Sequence, residues 1–306
     1  MHGLRMVGLL ILLVFAIAPT CFAQCGEPNA NSHYGINFHA PSGTTLINLA
    51  DEAKNAGIGW IRVDFEWKII ETSQDQWSWS RYDSIVAAAN SRGLLIYGGM
   101  GGTPLWATDG AETVGVPRNP ADWYDFCYKV AQRYDGKHGK GFINYWGMWN
   151  EPDRGDFWSG NRQQYIDIIL KNGADGIHAG NPDAKACGPD LSPGSGWDTW
   201  LRDCIQQAGS KLDVVTQHKY EDSYAQVTSW LDSDVKGLLQ DTGWYGKPFW
   251  LTEVGWQSTE VGETNQANYY SGLLNDWCTG ISSRNWMHRI FFYELADDPT
   301  NWPDLS

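Results

Sequence analysis

The sequence predicts an α/β protein folded as a single (β/α)8 TIM barrel, and three observations carry that reading. Short apolar, β-rich runs alternate with amphipathic stretches along the chain, the order that builds a parallel sheet covered by helices. Eight such units in about 250 residues match the arithmetic of a closed barrel. No low-complexity linker or break in composition interrupts them. An open, doubly wound sheet is the alternative, but that fold usually displays a nucleotide-binding loop, and the sequence offers none.

The first strand is expected over residues 33–39 (HYGINFH), followed by a helix over 44–56. Strand two, 60–67 (WIRVDFEW), leads to a helix over 81–91, and strand three, 94–98 (LLIYG), to one over 121–134. Strand four, 142–151, holds the apolar run Tyr145-Trp146-Gly147-Met148-Trp149 and stops at Asn150-Glu151-Pro152. Pro152 cannot donate a ladder hydrogen bond and is normally kept out of central strands, so the strand should close on Glu151. A helix over 162–178, strand five at 184–191 (AKACGPDL) and a helix over 197–208 come next. Strand six, 213–220 (DVVTQHKY), precedes a helix over 225–240, and strand seven, 248–256 (PFWLTEVGW), precedes one over 266–277. Strand eight is expected over 289–295 (RIFFYEL). The eleven residues beyond it are too few for a loop and an outer helix. The eighth outer helix is therefore expected to be missing, leaving an apolar strip beside strands eight and one.

At the amino terminus Arg5 precedes an apolar run from Val7 to about Ala18, and small residues lead up to Gln24. This is the layout of a secretory signal over residues 1–23, and its apolar core is shorter than the ~20 residues a membrane span needs. The barrel domain is then 24–306, an extracellular or periplasmic protein expected to be a monomer with no membrane partner after cleavage. The chain carries 36 Asp and Glu against 22 Lys and Arg, a formal charge of −14 at pH 7. Such a field repels nucleic acid and disfavours strongly anionic polymers, although a local basic patch would override the average. The 18 Trp and 14 Tyr are the more telling excess, because flat aromatic faces pack against the apolar C–H surfaces of sugars as well as in cores. Of the six cysteines, Cys21 lies in the signal and the others form no CxxC pair, so at least one thiol stays unpaired. Cys187 with Cys204 is a candidate bridge, and buried free thiols are the alternative.

In such a barrel the active site forms at the carboxyl ends of the strands, so polar residues that close apolar strands are the candidates. Strand four ends in Asn150-Glu151, strand seven carries Thr252-Glu253, strand two Arg62 and Asp64, strand six His218 and Tyr220, and strand one ends in His39. Glutamates on strands four and seven would face each other across the mouth. A carboxylate pair suits glycoside cleavage, in which one group protonates the departing oxygen while the other attacks, or activates water, at the anomeric carbon. The two roles demand different protonation states at one pH. Arg62, if it reaches Glu253, holds that carboxylate ionised. Glu151, flanked by Trp149 and Pro152 and with no obvious cation, is expected to keep a raised pKa and act as the acid. Trp106, Trp123, Phe157, Trp158, Trp197 and Trp256 lie at or just beyond strand ends, as candidate walls of a cleft.

These residues resemble the retaining glycoside hydrolases of clan A. Asn150-Glu151-Pro152 on strand four and Glu253 on strand seven look like the clan's signature. The stretches GWIRVDFEW, TPLWA, YWGMWNEPD, NPDAKACGPD and QHKY are most similar to family 39-like enzymes, with family 5 next. The resemblance spans roughly residues 34–299 and implies that Glu151 is the general acid/base and Glu253 the nucleophile. Asn150 then matches the residue that hydrogen-bonds the sugar 2-hydroxyl, and Arg62 the arginine that orients the nucleophile. His218 or Tyr220 sits where the clan places a ring partner for that nucleophile, with Tyr220 preferred. His39 and Trp106 match contacts of the sugar at the cleavage site. Strand eight reads FFYEL, without the tryptophan many family 5 members use there, so Tyr293 or Glu294 would have to fill that role. The activity implied is a secreted retaining β-glycosidase acting by double displacement on a neutral β-linked glucan, mannan or xylan. An exo-acting β-xylosidase is the nearest variant.

Other signals point away from cofactors. Gly98 to Gly102 (GGMGG) invites a phosphate-loop reading, but no Gly-Lys-Ser/Thr follows, and it reads as a flexible exit from strand three. Ser195 in SPGSG is not centred in Gly-x-Ser-x-Gly. No HExxH helix exists and the seven histidines are scattered, so neither a metal nor a cofactor is expected. The competing class is a carbohydrate-binding barrel without catalysis, against which the joint presence of Glu151, Glu253, Arg62 and Asn150 argues.

Overall fold

A computed structural model describes residues 32–38, 43–109, 113–280 and 284–294. Its frame is eight parallel strands: β1 (Tyr34–Asn37), β2 (Trp60–Glu66), β3 (Leu95–Gly101), β4 (Tyr145–Met148), β5 (Lys185–Leu191), β6 (Val214–Tyr220), β7 (Phe249–Gly255) and β8 (Met287–Phe292). Each pairs with its neighbours in sequence, and β8 closes the barrel on β1, with Tyr34 opposite Ile290. A helical segment follows each strand from β1 to β7: α1 (Gly43–Asn55), α2 (Ser80–Asn90), α3 (Pro120–Arg133), α4 (162–180), α5 (Trp197–Ala208), α6 (224–241) and α7 (Glu263–Gly280). The alternation read from the sequence is thus the architecture. One addition was not foreseen, a two-stranded hairpin of Glu71–Ser73 and Gln76–Trp77 between β2 and α2.

Strand residues point alternately to opposite faces, and the packing follows that parity. On β2, Ile61, Val63 and Phe65 join the large core shared with the helices. Trp60, two residues before Arg62, instead joins Tyr97, Cys187, Val214, Trp250 and Phe291 in a separate buried cluster, one residue from each of six strands. That second cluster fills the lumen. The Trp250 ring lies 4.7 Å from that of Tyr145 and 5.3 Å from that of Trp60. Inward-facing residues beyond this plug, such as Arg62, are carried toward the mouth on a rigid base.

Several expectations are corrected. The glycines at 98–101 are not a flexible exit but part of β3. A Cβ on Gly98 would fall 2.5 Å from the Trp146 ring, so glycine is what lets that indole pack against the strand. Strand β4 ends at Met148 rather than Glu151, because Trp149 and Glu151 take φ of 78° and 44°. Such left-handed backbone costs a non-glycine residue on the order of 1 kcal/mol. It is held by inter-strand bonds, Trp149 N–H to the Met100 carbonyl at 2.7 Å and Glu151 N–H to the Asp190 carbonyl at 2.8 Å. Cys187 and Cys204 form no bridge and are buried free thiols, as is Cys127. Cys187 faces the lumen, whereas Cys204 packs with α5 in the outer core, so the strand itself separates them.

The signal segment 1–23, His39, Cys25 and the stretch after β8, where the missing helix was expected, lie outside the described residues, as does the Cys278 side chain. Among the described residues no helix is long and apolar enough to cross a membrane.

Candidate active site

Six strands deliver the polar groups that gather at the mouth: Asn37 from β1, Arg62 from β2, Asn150 and Glu151 just after β4, Asp190 from β5, His218 and Tyr220 from β6, and Glu253 from β7. One side-chain donor atom from each of Glu151, His218 and Glu253 lies within 4.8 Å of the other two. Both glutamates are nearly sequestered, Glu151 at 5% exposure and Glu253 at 7%. The two carboxylates therefore meet at one buried point of the barrel.

A bulge aims Glu253. Gln217 pairs with Leu251 but His218 pairs with Glu253, so β7 carries one residue more than β6 across that step. An extra residue of this kind bends a strand and re-aims side chains. Here both Thr252 and Glu253 turn inward, Thr252 donating its hydroxyl to Asp190 and Glu253 reaching the centre.

Arg62 ties the centre together. Its Nη1 donates to Glu253 Oε1 at 2.5 Å and to Asn37 Oδ1 at 2.7 Å, and its Nη2 donates to Asn150 Oδ1 at 2.6 Å. Asn37 is itself fixed, donating to the carbonyls of Thr252 and Phe292 at 3.1 and 3.3 Å. Burial alone would lower the Arg62 pKa, but the carboxylates of Glu253, Asp64 and Asp190 outweigh it and raise it. The Tyr220 hydroxyl donates to Glu253 Oε2 at 2.6 Å. Burial, reinforced by Glu253, pushes that phenol well above its ordinary range and keeps it a donor.

The two strand-six candidates are now separated. His218 Nδ1 lies 3.0 Å from Glu151 Oε1 and 3.5 Å from Glu253 Oε2, so Tyr220 serves Glu253 and His218 chiefly serves Glu151. Burial would lower the His218 pKa, but Glu253 and the hydrogen bond to Glu151 raise it overall.

The expectation that Glu151 lacks a cation is overturned. A turn brings the Arg154 amide to the Glu151 carbonyl at 3.0 Å, and Arg154 Nη1 then sits 3.2 Å from Glu151 Oε2. Burial pushes the Glu151 pKa up, but His218, Arg154 and Arg62 together bring it below the ordinary value. Arg154 is held by two bonds to Asp156, at 3.1 and 2.5 Å, and lies 5.0 Å from the Phe157 ring centroid. Its signal in the sequence was its place three residues after the acid, the spacing of a single turn.

Asn37, Tyr97 and Asp190 were also missed. Asp190 is fully buried, accepts from the hydroxyls of Tyr97 and Thr252, and has Oδ1 3.8 Å from His218 Nε2. Its carboxyl group lies beside the imidazole on the side away from Glu151 Oε1. The inward parity of Tyr97 on β3 was the available clue, but its partner on β5 was not legible.

The aromatic candidates divide. Tyr293 stands edge-on to Tyr220, ring centroids 6.1 Å apart, and Glu294 follows it just beyond β8. Trp106 and Trp256 are half-buried beyond β3 and β7. The Trp106 indole donates to the Glu71 carbonyl at 2.9 Å, and Trp256 packs 5.5 Å from Tyr269. Phe157 and Trp197 are half-buried too. Trp158 and Trp123 are not walls of a cleft. Trp158 is wedged against Trp149 with centroids 5.1 Å apart, and Trp123 gives its indole N–H to the Ile169 carbonyl at 2.9 Å, both buried.

Glu151, His218 and Glu253 are donors of a kind that can hold a metal ion. Their carboxylates are already engaged by Arg62, Tyr220 and Arg154, and the two arginines disfavour a further positive charge. The arrangement fits acid–base and nucleophilic chemistry at one carbon better than metal ligation.

The family model for glycosyl hydrolases family 39 matches residues 102–236, a span that contains Glu151. This bears out the resemblance to clan A, with family 39 foremost. No curated protein matches the sequence. Among solved structures, the chain is similar to a glucosidase from Croceicoccus marinus, with a TM-score of 0.69 and 14% identity over 90% of this chain and 62% of that one. It is also similar to a monomeric β-xylosidase from Caulobacter crescentus CB15, with a TM-score of 0.69 and 16% identity over 89% and 62%. A family 39 glycoside hydrolase from the gut symbiont Bacteroides cellulosilyticus WH2 gives a TM-score of 0.64 and 18% identity over 92% and 59%. The chain thus spans about three fifths of the length of these structures, and at such identity the likeness is one of fold.

Proposed function

We propose that the protein is a retaining β-glycosidase that works by double displacement, with Glu253 as nucleophile and Glu151 as acid and base. The observation that carries this reading is the approach of the two carboxylates, with donor atoms no more than 4.8 Å apart. Retaining enzymes hold theirs about 5 to 5.5 Å apart, whereas inverting ones leave roughly 6.5 to 9.5 Å for a water.

In the first step a Glu253 oxygen bonds to the anomeric carbon while the bond to the leaving oxygen breaks and Glu151 passes its proton to that oxygen. In the second, Glu151 takes a proton from water, the water oxygen bonds to the anomeric carbon, and the ester to Glu253 breaks. Arg62 and Tyr220 hold and orient Glu253 between turnovers. The Glu151–His218 contact at 3.0 Å holds a proton that either partner can carry, a charged imidazole facing a carboxylate or a neutral one facing the acid. The acidic form needed for the first step is thus reached within one hydrogen bond. Asn150, held by Arg62, is the group assigned in this reading to the sugar hydroxyl next to the reacting carbon.

A neutral β-linked glucan, mannan or xylan chain is the substrate class that the half-exposed aromatic rim supports, with an exo-acting β-xylosidase as the variant. Arg5 followed by an apolar run supports export of a monomer that meets its polysaccharide outside the cell. A panel of aryl β-glycosides and oligosaccharides, with the anomeric configuration of the first product read by NMR, tests the reading. Turnover with retention supports it; inversion, or no turnover of any glycoside, overturns it. Glu151→Gln should slow substrates with poor leaving groups far more than activated ones.

A further inference from the structure

We propose a second carbohydrate site on the outer flank of the barrel, an aromatic and cationic cleft that holds an oligosaccharide bearing a uronic acid. The hairpin after β2 and the face of α3 flank an open cleft bordered by Trp77, Trp79, Lys129, Gln132, Arg133, His138 and Lys140. It shares no residue with the Glu151–Glu253 centre.

Two features set this cleft apart. The Trp77 and Trp79 rings are parallel to within 2°, with centroids 5.3 Å apart, and both are half-buried. The Arg133 guanidinium covers Trp79 at 4.7 Å from its centroid, while Trp77 stacks on Trp79 and both indoles also pack against the main core. The half-buried Trp77 indole borders the cleft, and an indole is the kind of surface against which the C–H face of a pyranose packs. The platform is rigid. Glu71, buried at the root of the hairpin, accepts from the Trp67 indole and from the Asp75 amide, each at 2.7 Å, so the hairpin is fixed before any ligand arrives.

The second feature is the sign of the charge. In a chain of formal charge −14, the residues bordering this cleft include three permanent cations and no carboxylate. Arg133 is committed to Asp83 through bonds of 2.8 and 2.6 Å, and Lys140 stands 3.6 Å from the same carboxylate. Lys129, and Lys140 shared with Asp83, are the ammonium groups an added carboxylate would meet, while Gln132, with one amide hydrogen given to the Tyr128 hydroxyl, keeps a second donor and an acceptor for hydroxyls. A polyanion would be repelled by the whole molecule. A largely neutral sugar chain with an occasional uronate would not, and it satisfies the indole and the ammonium groups together.

The full-length chain carrying Glu253→Gln, so that no ligand is consumed, is titrated calorimetrically with xylotetraose and with xylotetraose bearing one glucuronosyl side group. The acidic probe should bind more tightly than the neutral one, and its preference should fade with added salt. Trp77→Ala in that background should weaken the acidic probe about tenfold, the equivalent of about 1.4 kcal/mol. Lys129→Ala with Lys140→Ala should abolish the preference over xylotetraose, with the melting temperature of each variant unchanged. With Glu253 intact, Trp77→Ala should leave aryl-glycoside turnover within twofold of the parent. Equal binding of both probes, or undiminished acidic binding by Trp77→Ala, overturns the proposal, as does stronger binding of a short single-stranded oligonucleotide. Trp77-dependent binding by a protein that turns over no glycoside would sink the catalytic reading and leave this one standing.

Discussion

Replacing Arg154 with glutamine should move the pH dependence of catalysis upward. Arg154 Nη1 is 3.2 Å from Glu151 Oε2. Two unit charges about 4 Å apart interact by roughly 1 kcal/mol in water and roughly 4 kcal/mol at an effective dielectric of 20. The Arg154 side chain is 46% exposed and is shared with Asp156, so the lower figure applies. A loss of about 1 kcal/mol corresponds to ~0.7 pKa unit. Removing the cation disfavours the carboxylate, so the Glu151 pKa rises. The basic limb of kcat/KM reports loss of the essential proton from the free enzyme, and it should shift to higher pH by about 0.7 unit. His218 and Arg62, the other cations facing Glu151, and Glu253, Asp190 and Asp153, the anions near it, are left in place. The assay is a kcat/KM profile on an aryl β-glycoside with a poor leaving group, for which proton donation matters most. Arg154→Lys, which keeps the charge, should restore the original limb. A limb that stays put in the glutamine variant, or moves down, refutes the assignment of Arg154 as one of the cations that lower the proton affinity of Glu151.

Truncating Arg62 to alanine strips the buried Glu253 of its cation, and breaking such a pair costs about 3 to 5 kcal/mol; chemical denaturation should show a loss of that order together with loss of turnover. His218 has a folded-state pKa raised above its unfolded value of about 6.5. Its charge therefore contributes stability in full below about pH 6.5, and that contribution fades as pH rises through the folded value. Melting temperature followed from pH 5 to 9 should fall less steeply in His218→Asn than in the parent, and identical slopes would show that the imidazole is not the linked group. Trp250→Ala, which empties the centre of the lumen plug, should cost about 3 to 5 kcal/mol by the same denaturation measurement, with the spread set by how far Trp60 and Tyr145 collapse into the space.

Much of this molecule was legible along the chain. Alternation of β-rich and amphipathic segments gave eight strands and seven intervening helical segments, since the periods of strand and helix are properties of local backbone. The Asn150-Glu151-Pro152 punctuation and the polar closure of β2, β6 and β7 placed Arg62, Tyr220, His218 and Glu253 at one end of the barrel. That inference needed only the direction of parallel strands. The pairing among those groups could not be read this way. Whether Tyr220 or His218 serves Glu253 depends on a one-residue bulge in β7, and a register shift is a relation between strands that leaves no mark in either one's pattern. Arg154 folds back on Glu151 because residues 149 and 151 enter left-handed backbone held by bonds from β3 and β5. Trp158 and Trp123 are core rather than cleft because of what packs on them, and Cys187 and Cys204 stay apart because a strand lies between lumen and outer core. The sequence by itself determined which chemistry-bearing residues share the barrel mouth. Tertiary structure alone decided which atoms touch, and so which carboxylate is held by Arg62 and Tyr220 and which lies against His218.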